Sequence, residues 1–187
     1  VVPFRNEEHH LPELIEALEH QTYPPHLFEI LLVDDHSTDG SRAVAEKAAE
    51  KLKNLIVLGI NETEAGKKAA LNTGIGKARG AYILQTDADC RMGAFFIEEY
   101  AHAIMRTGAD LISGPVTIDS KATSFLQALE TLDMLSLTGA GAGSFYYNRP
   151  IMCSGANLSF SKTLFHESRK FDPVQKTPSG DDMFLLI

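Results

Sequence analysis

Phe28-Glu29-Ile30-Leu31-Leu32-Val33-Asp34-Asp35-His36-Ser37-Thr38-Asp39-Gly40-Ser41 decides how this chain folds. A short, almost wholly apolar run, rich in branched side chains, ends abruptly in two aspartates. That pattern reads as a strand buried on both faces rather than as a helix. The small polar residues that follow mark a tight passage into a helix, with Ser37 or Thr38 as candidate cap and Val44, Ala48 and Leu52 along one face. A buried strand that runs straight into a helix is the opening of a βαβ unit.

The same alternation extends in both directions. Upstream, Val1-Val2-Pro3 reads as the middle or end of a strand. Leu11, Leu14, Ile15 and Leu18 then fall at i, i+3, i+4 and i+7, an amphipathic helix. Downstream come a strand over Leu55–Leu58, a helix over Lys68–Ala78, a strand over Tyr82–Thr86, a helix over Phe95–Arg106 and a strand over Leu111–Val116. Leu71, Ile75 and Ala78 face inward from one helix, and Ile97, Tyr100 and Ile104 from the next. Strands spaced by helices of this length predict right-handed crossovers and a mainly parallel sheet flanked by helices, an α/β fold. After residue 117 the alternation weakens. Ser124–Leu137 reads as a helix, Gly139-Ala140-Gly141-Ala142-Gly143 as a mobile loop, and Leu158–Phe160 as one more strand.

The 187 residues fit one domain with a sizeable core, with 44% apolar and 22% charged residues. A net charge of −8 argues against nucleic acid as a partner, since phosphate binding leaves a basic footprint. It leaves room for a phosphate-bearing ligand accompanied by a divalent metal. Cys90 and Cys153 make no disulfide framework, and a reduced, cytoplasmic setting is expected. No run of about 18 apolar residues is present, as a membrane span would require. The chain reads as a fragment of a longer protein and as one domain, with the alternating half over residues 1–116 and a smaller, less regular half over 117–187.

Ligands of an open parallel sheet bind beyond the carboxyl ends of its strands. The residues placed there are Asn6-Glu7-Glu8, Asp34-Asp35, Asn61-Glu62 and Asp87-Ala88-Asp89, so carboxylates gather at this edge. Asp87 and Asp89 could hold Mg²⁺ or Mn²⁺ with substrate phosphates completing the shell, though aspartates that cap turns look the same. Asp35 could accept the N–H of a base, or serve only the strand-to-helix turn. Gly66-Lys67-Lys68 is no P-loop, because Gly59 lies too far upstream and Lys68 stands where Ser or Thr belongs. Lys67 could still sit near a diphosphate as a point charge, or be a solvated lysine at a helix start. In Gly180-Asp181-Asp182 a carboxylate could act as general base toward an acceptor hydroxyl, or cap a helix.

The order of these segments closely resembles the family 2 inverting glycosyltransferases. Val2-Pro3-Phe4-Arg5-Asn6-Glu7-Glu8 is followed by Val33-Asp34-Asp35 through Ser41, then Gly66-Lys67-Lys68 through Gly74, then Thr86-Asp87-Ala88-Asp89. Cys153-Ser154-Gly155-Ala156-Asn157-Leu158 and Gly180-Asp181-Asp182 match the later acceptor-side and base motifs. The resemblance implies the GT-A fold and a set of roles. Pro3, Asn6 and Glu7 would line the nucleotide pocket. Asp35 would bind the base, usually uracil, and Lys67 would lie close to the diphosphate. Asp89 would contact the metal with Asp87 beside it. Gly155, Ala156, Asn157 and Asp181 would lie on the acceptor side, and Asp182 would be the general base. Asp181 departs from the family's usual Glu.

What the resemblance implies, then, is metal-assisted transfer of a sugar from a UDP-sugar to a saccharide or lipid-linked acceptor, in polysaccharide or glycolipid synthesis. A parent chain held at the cytoplasmic face of a membrane, through segments outside these residues, follows by analogy only. Two other classes compete. A nucleotidyltransferase usually places a glycine-rich basic loop after its first strand, where this chain has Phe4-Arg5-Asn6-Glu7-Glu8. A non-catalytic sugar-nucleotide-binding module would not need all the motifs.

Overall fold

The computed structural model describes residues 1–118, 124–147 and 149–168. Asp181 and Asp182 lie outside them. The described elements are β1 (Val2–Phe4), α1 (Leu11–Glu19), β2 (Ile30–Asp34), α2 (Ser41–Lys51), β3 (Leu55–Gly59), α3 (Lys67–Lys77), β4 (Tyr82–Gln85), α4 (Phe96–Thr107), β5 (Leu111–Ser113), α5 (Phe125–Tyr146), β6 (Leu158–Ser161) and α6 (Lys162–Ser168).

β1, β2 and β3 pair in parallel, with Val2 opposite Leu32 and Ile30 opposite Leu55. β6 inserts antiparallel between β4 and β5, with Phe160 opposite both Ile83 and Leu111. The two sets meet at Val1, whose nitrogen donates to Leu84 O (2.8 Å) and whose carbonyl accepts from Thr86 N–H (3.4 Å). Those two bonds flank Gln85 as a parallel bridge does. The strands therefore follow one another β3-β2-β1-β4-β6-β5, and only β6 runs against the rest.

Pro3 ends the junction. Along β1, alternate residues turn their N–H toward β4, and the next after Val1 is a proline with no N–H to give. Among the described residues no backbone bond joins β1 to β4 past Thr86. The strand order reverses here as well, which makes this the crevice where such sheets take ligands.

Successive β2 residues face opposite layers. Ile30 and Leu32 pack with Val2, Phe4, Leu11, Leu14, Leu18 and Ala45, under α1 and α2. Leu31 packs with Leu71, Ile75, Ile83, Leu158 and Phe160, under α3 and α6. Gly74 lets α3 lie this close: a Cβ there would stand 2.5 Å from Val1 Cγ1 and 3.0 Å from Val33 Cγ2.

Three local expectations change. The stretch from Gly139 to Gly143 is helical, inside α5. Its glycines are poor helix formers, but tertiary contacts hold the segment: Thr138 Oγ1 donates to Val116 O (2.9 Å), and Gly141 is buried under Met152. Neither Ser37 nor Thr38 caps α2, which starts later, after Gly40. His36 adopts a left-handed backbone (φ 56°), and both residues serve the neighbouring loop instead. β5 stops at Ser113: Gly114 N–H still donates across to Asn157 O (2.9 Å), but Asn157 N–H turns to Ser154 O (3.1 Å) instead of returning the bond, and Pro115 has no N–H.

Candidate active site at the carboxyl edge of the sheet

The loops leaving β1 and β2 are laced together. Asn6 N–H donates to Ser37 Oγ (3.0 Å), and Asn6 Oδ1 accepts from Thr38 N–H (2.8 Å). Glu7 N–H donates to Ser41 Oγ (2.7 Å), and Glu8 Oε2 accepts from Gly40 N–H (3.0 Å). Ser41, chiefly through its hydroxyl, and Glu8 N–H hold the Asp39 carboxyl below the usual range. Asn6 is left-handed too (φ 57°), a conformation that asparagine tolerates better than most residues. Asn6 thus spends its side-chain oxygen on the loop, and the Glu7 carboxylate pairs with His10 (2.7 Å). Pro3 is buried in β1 at the head of the crevice.

The two aspartates that end the deciding strand part company. Asp34 is structural: Oδ1 accepts from Ser37 N–H (2.9 Å), and Arg42 lies 3.5 Å from Oδ2. Asp35 is buried just past the end of β2. Its Oδ2 accepts from Gly66 N–H (3.0 Å), with the Arg5 guanidinium 3.8 Å away and His36 Nδ1 3.4 Å from Oδ1. Gly66 (φ 93°, ψ 163°) occupies a region open essentially to glycine alone, and that backbone starts α3.

Lys67, the next residue, places Nζ 2.5 Å from Asp87 Oδ1. Asp87 and Asp89 follow β4 in a turn closed by Cys90 N–H to Asp87 O (3.2 Å); Asp89 is exposed and Ala88 buried. Across the turn, Cys90 Sγ lies 3.9 Å from Ala156 O. Arg5, Asp35, Gly66, Lys67 and Asp87 are therefore linked by direct contacts, with Ala156 against the next turn.

The segment 155–157 is held by α4. The Tyr100 hydroxyl, from α4, donates to Asn157 Oδ1 (2.6 Å) and lies 3.1 Å from Asn157 O. Asn157 Nδ2 donates to Pro115 O (2.8 Å). Burial pushes the Tyr100 phenol up to about 12, against an opposing bond from the Gly114 backbone, so it stays a donor. A Cβ on Gly114 would stand 2.6 Å from that hydroxyl. The Asn157 amide, placed by the resemblance on the acceptor side, bonds to Tyr100 and Pro115. Gly155 is buried and Ala156 half-buried. Spacing gave no sign of the Tyr100 bond; it marked Tyr100 only as an inward residue of an amphipathic helix.

Among the described residues, no group of three or more His, Cys, Asp or Glu side chains gathers as a metal site. The Asp87 and Asp89 pair still fits a divalent metal, because Mg²⁺-type ions are commonly bound by one or two carboxylates with substrate phosphates and water completing the shell. A cavity of about 650 Å³ opens where β2 and β4 begin, lined in part by Leu31, Arg79, Tyr82 and Ile104. It includes none of the carboxylates at the opposite edge.

Sheet order and overall shape define a GT-A fold. TarS 1–349 of Staphylococcus aureus in complex with UDP superposes with a TM-score of 0.70 at 22% identity, over 99% of this chain and 52% of that one. A mannosyltransferase of Pyrobaculum calidifontis in complex with GDP-Man and Mn²⁺ gives 0.66 at 23% identity, over 89% and 44%. The chain belongs to Glycosyl transferase family 2, whose pattern matches residues 1–168. It is 35% identical over its full length to a poly(ribitol-phosphate) beta-glucosyltransferase of Bacillus spizizenii, of which it spans 28%.

Proposed function

We propose that this chain is the catalytic domain of an inverting glycosyltransferase that moves a sugar from a UDP-sugar to an acceptor hydroxyl. The observation that carries this reading is the connected set of Arg5, Asp35, Gly66, Lys67 and Asp87 at the carboxyl edge, with Asp89 exposed beside it. That is a base-reading carboxylate and a phosphate-facing cation ahead of a carboxylate pair. UDP, and in the mannosyltransferase Mn²⁺, accompany structures of the same fold.

Asp35 takes the N–H of the base, in a pocket bordered by Pro3, Asn6 and Glu7. Lys67 lies against the diphosphate. Asp89, with Asp87, holds a Mn²⁺ or Mg²⁺ ion, which supplies positive charge opposite the departing nucleoside diphosphate. Asp182 removes the proton from the acceptor hydroxyl as it attacks the anomeric carbon, with Asp181 as its neighbour; both lie outside the described residues. Gly155, Ala156 and Asn157 form the acceptor-side wall. Residues 1–116 hold the donor and 117–187 the acceptor, within one domain, since β6 from the second half pairs with β4 and β5 of the first. The acceptor is a saccharide or a lipid-linked group, met at the cytoplasmic face of a membrane through segments outside these residues.

Asp182→Asn abolishes transfer and leaves UDP binding intact; a variant that transfers at the parent rate removes the base assignment. Asp89→Ala weakens binding of UDP in Mn²⁺, and unchanged affinity by calorimetry removes the metal assignment. Release of UDP from a UDP-sugar marks a glycosyltransferase. Pyrophosphate would mark a nucleotidyltransferase, and no product a binding module.

A further inference from the structure

α5 is turned inside out. The side it lays against the protein is polar or small: Thr138 Oγ1 donates to Val116 O (2.9 Å), Gly141 lies under Met152, and Gln127 and Thr131 are half-buried. Its large apolar side chains point the other way. Phe125 is 84% exposed, Leu129 51% and Leu132 63%, with Leu126 and Leu135 exposed on either side. A surface helix of a free monomer buries its apolar stripe and shows its polar one. A contiguous exposed apolar face marks an interaction site.

The outward face carries a repeat. Phe125, Leu129, Leu132, Ser136, Gly139 and Gly143 follow one another at alternating steps of four and three, the spacing of a coiled-coil seam. The seam is bulky in its first half and bare in its second: a Cβ added at Gly139 or Gly143 meets nothing within 4 Å. Turned antiparallel on an identical helix, the seam fits itself. Phe125 falls opposite Gly143, Leu129 opposite Gly139 and Leu132 opposite Ser136, and a two-fold axis makes each contact twice. A parallel pair would set bulky residues on bulky ones and glycine on glycine, leaving the second half unfilled.

Charge agrees with the antiparallel register. Glu130 and Asp133 are the only charged side chains of α5. They come opposite Thr138 and Leu135, never opposite each other, and the two helix dipoles run head to tail. A lipid surface suits this helix less, because interfacial helices carry Lys or Arg on the polar face and α5 has neither.

We infer that the outward face of α5 is a homodimer interface, on which α5 of a second copy of this chain packs antiparallel. This goes beyond the nucleotide-sugar reading and does not depend on it. With 22 residues the helix is about 33 Å long, a small interface of the kind that dissociates on dilution.

The test pairs sedimentation velocity, from about 5 to 500 µM in reducing buffer, with co-sedimentation on phosphatidylcholine vesicles. The parent chain is expected to pass from monomer to dimer within that range and to leave the vesicles unbound. Leu132→Glu raises the dissociation constant at least about tenfold. Gly139→Leu does the same by filling the hollow that receives Leu129, although it makes the face more apolar and the residue a better helix former. Both positions are exposed, so neither variant lowers the melting temperature of the monomer. Tighter association of Gly139→Leu would mean unspecific apolar contact and would overturn the inference. A dimer indifferent to both substitutions overturns it too, as does a chain that stays monomeric throughout or pellets with the vesicles instead.

Discussion

Lys67 closes on Asp87, Nζ to Oδ1, at 2.5 Å, from the first turn of α3 to the turn after β4. The ammonium thus rests on one carboxylate of the pair assigned to the metal. Lys67→Ala removes that competitor, so Mn²⁺ alone binds more tightly. It also removes a cation from the diphosphate, so UDP in Mn²⁺ binds about tenfold more weakly. Two calorimetric titrations read these opposite changes. Loss or gain in both would break the assignment of Lys67 to both groups.

The Tyr100–Asn157 tie is a part-buried hydrogen bond between a buried phenol and a half-buried amide. Tyr100→Phe is expected to destabilise the fold by about 1–3 kcal/mol, since Asn157 Oδ1 is left without its donor. Asn157→Ala costs more, because Pro115 O also loses its partner. Urea unfolding of the single and double variants gives a coupling of about 0.5–3 kcal/mol if the two side chains act as a pair, and additive costs if they do not.

Gly66→Ala meets open space, with nothing within 4 Å of the added Cβ, so its cost comes from the backbone alone. At φ 93° that cost is of order 1–3 kcal/mol. Relief of the strain swings the Gly66 N–H off Asp35 and frees Oδ2. Thermal melting should fall, and UDP affinity with it. An unchanged melting temperature would show that alanine holds this conformation.

Glu29 stands just before β2 and accepts from Arg79 N–H (2.6 Å), Arg79 Nε (2.9 Å) and Gly80 N–H (3.2 Å). Burial pulls its pKa up, but these donors outweigh it and hold the carboxyl below the usual value. A depressed folded pKa stabilises above the unfolded value, about 4.3, and the gain is lost as the pH falls through the folded one. Glu29→Gln is therefore expected to cost about 1–3 kcal/mol at pH 7. The gap to the parent protein should shrink in urea melts taken progressively below about pH 4. A gap constant with pH would place the effect in packing.

Much of this fold is written in local pattern. The apolar run ending in Asp34-Asp35 is β2, and the three inward leucines and one isoleucine of the first helix are the buried residues of α1. Local pattern misled where a distant partner outweighed it. Gly141 lies in a helix because Met152 and Thr138 anchor that segment. Ser37 serves Asn6 and not the helix after it. Nothing in Leu158–Phe160 shows that the strand runs antiparallel, since direction depends on neighbours far along the chain. The contacts of Asp35 and Lys67 follow from their places just past a strand and at a helix start. That Asn157 is spent inside the protein does not, because its partner Tyr100 is a residue of α4 with no motif around it.

The position of β6 also sets an order of assembly. β5 bonds to β6 and not to β4, so it has no partner in the sheet until Leu158–Ser161 arrives. β1, β2 and β3 close through short crossovers, whereas the pairing of β4 with β6 must close a long loop, which forms more slowly. On a ribosome, the half carrying Asp35 and Lys67 can take shape while the strand that presents Gly155 and Ala156 is still unmade. The half to which the proposal assigns the nucleotide can thus form before the half to which it assigns the acceptor.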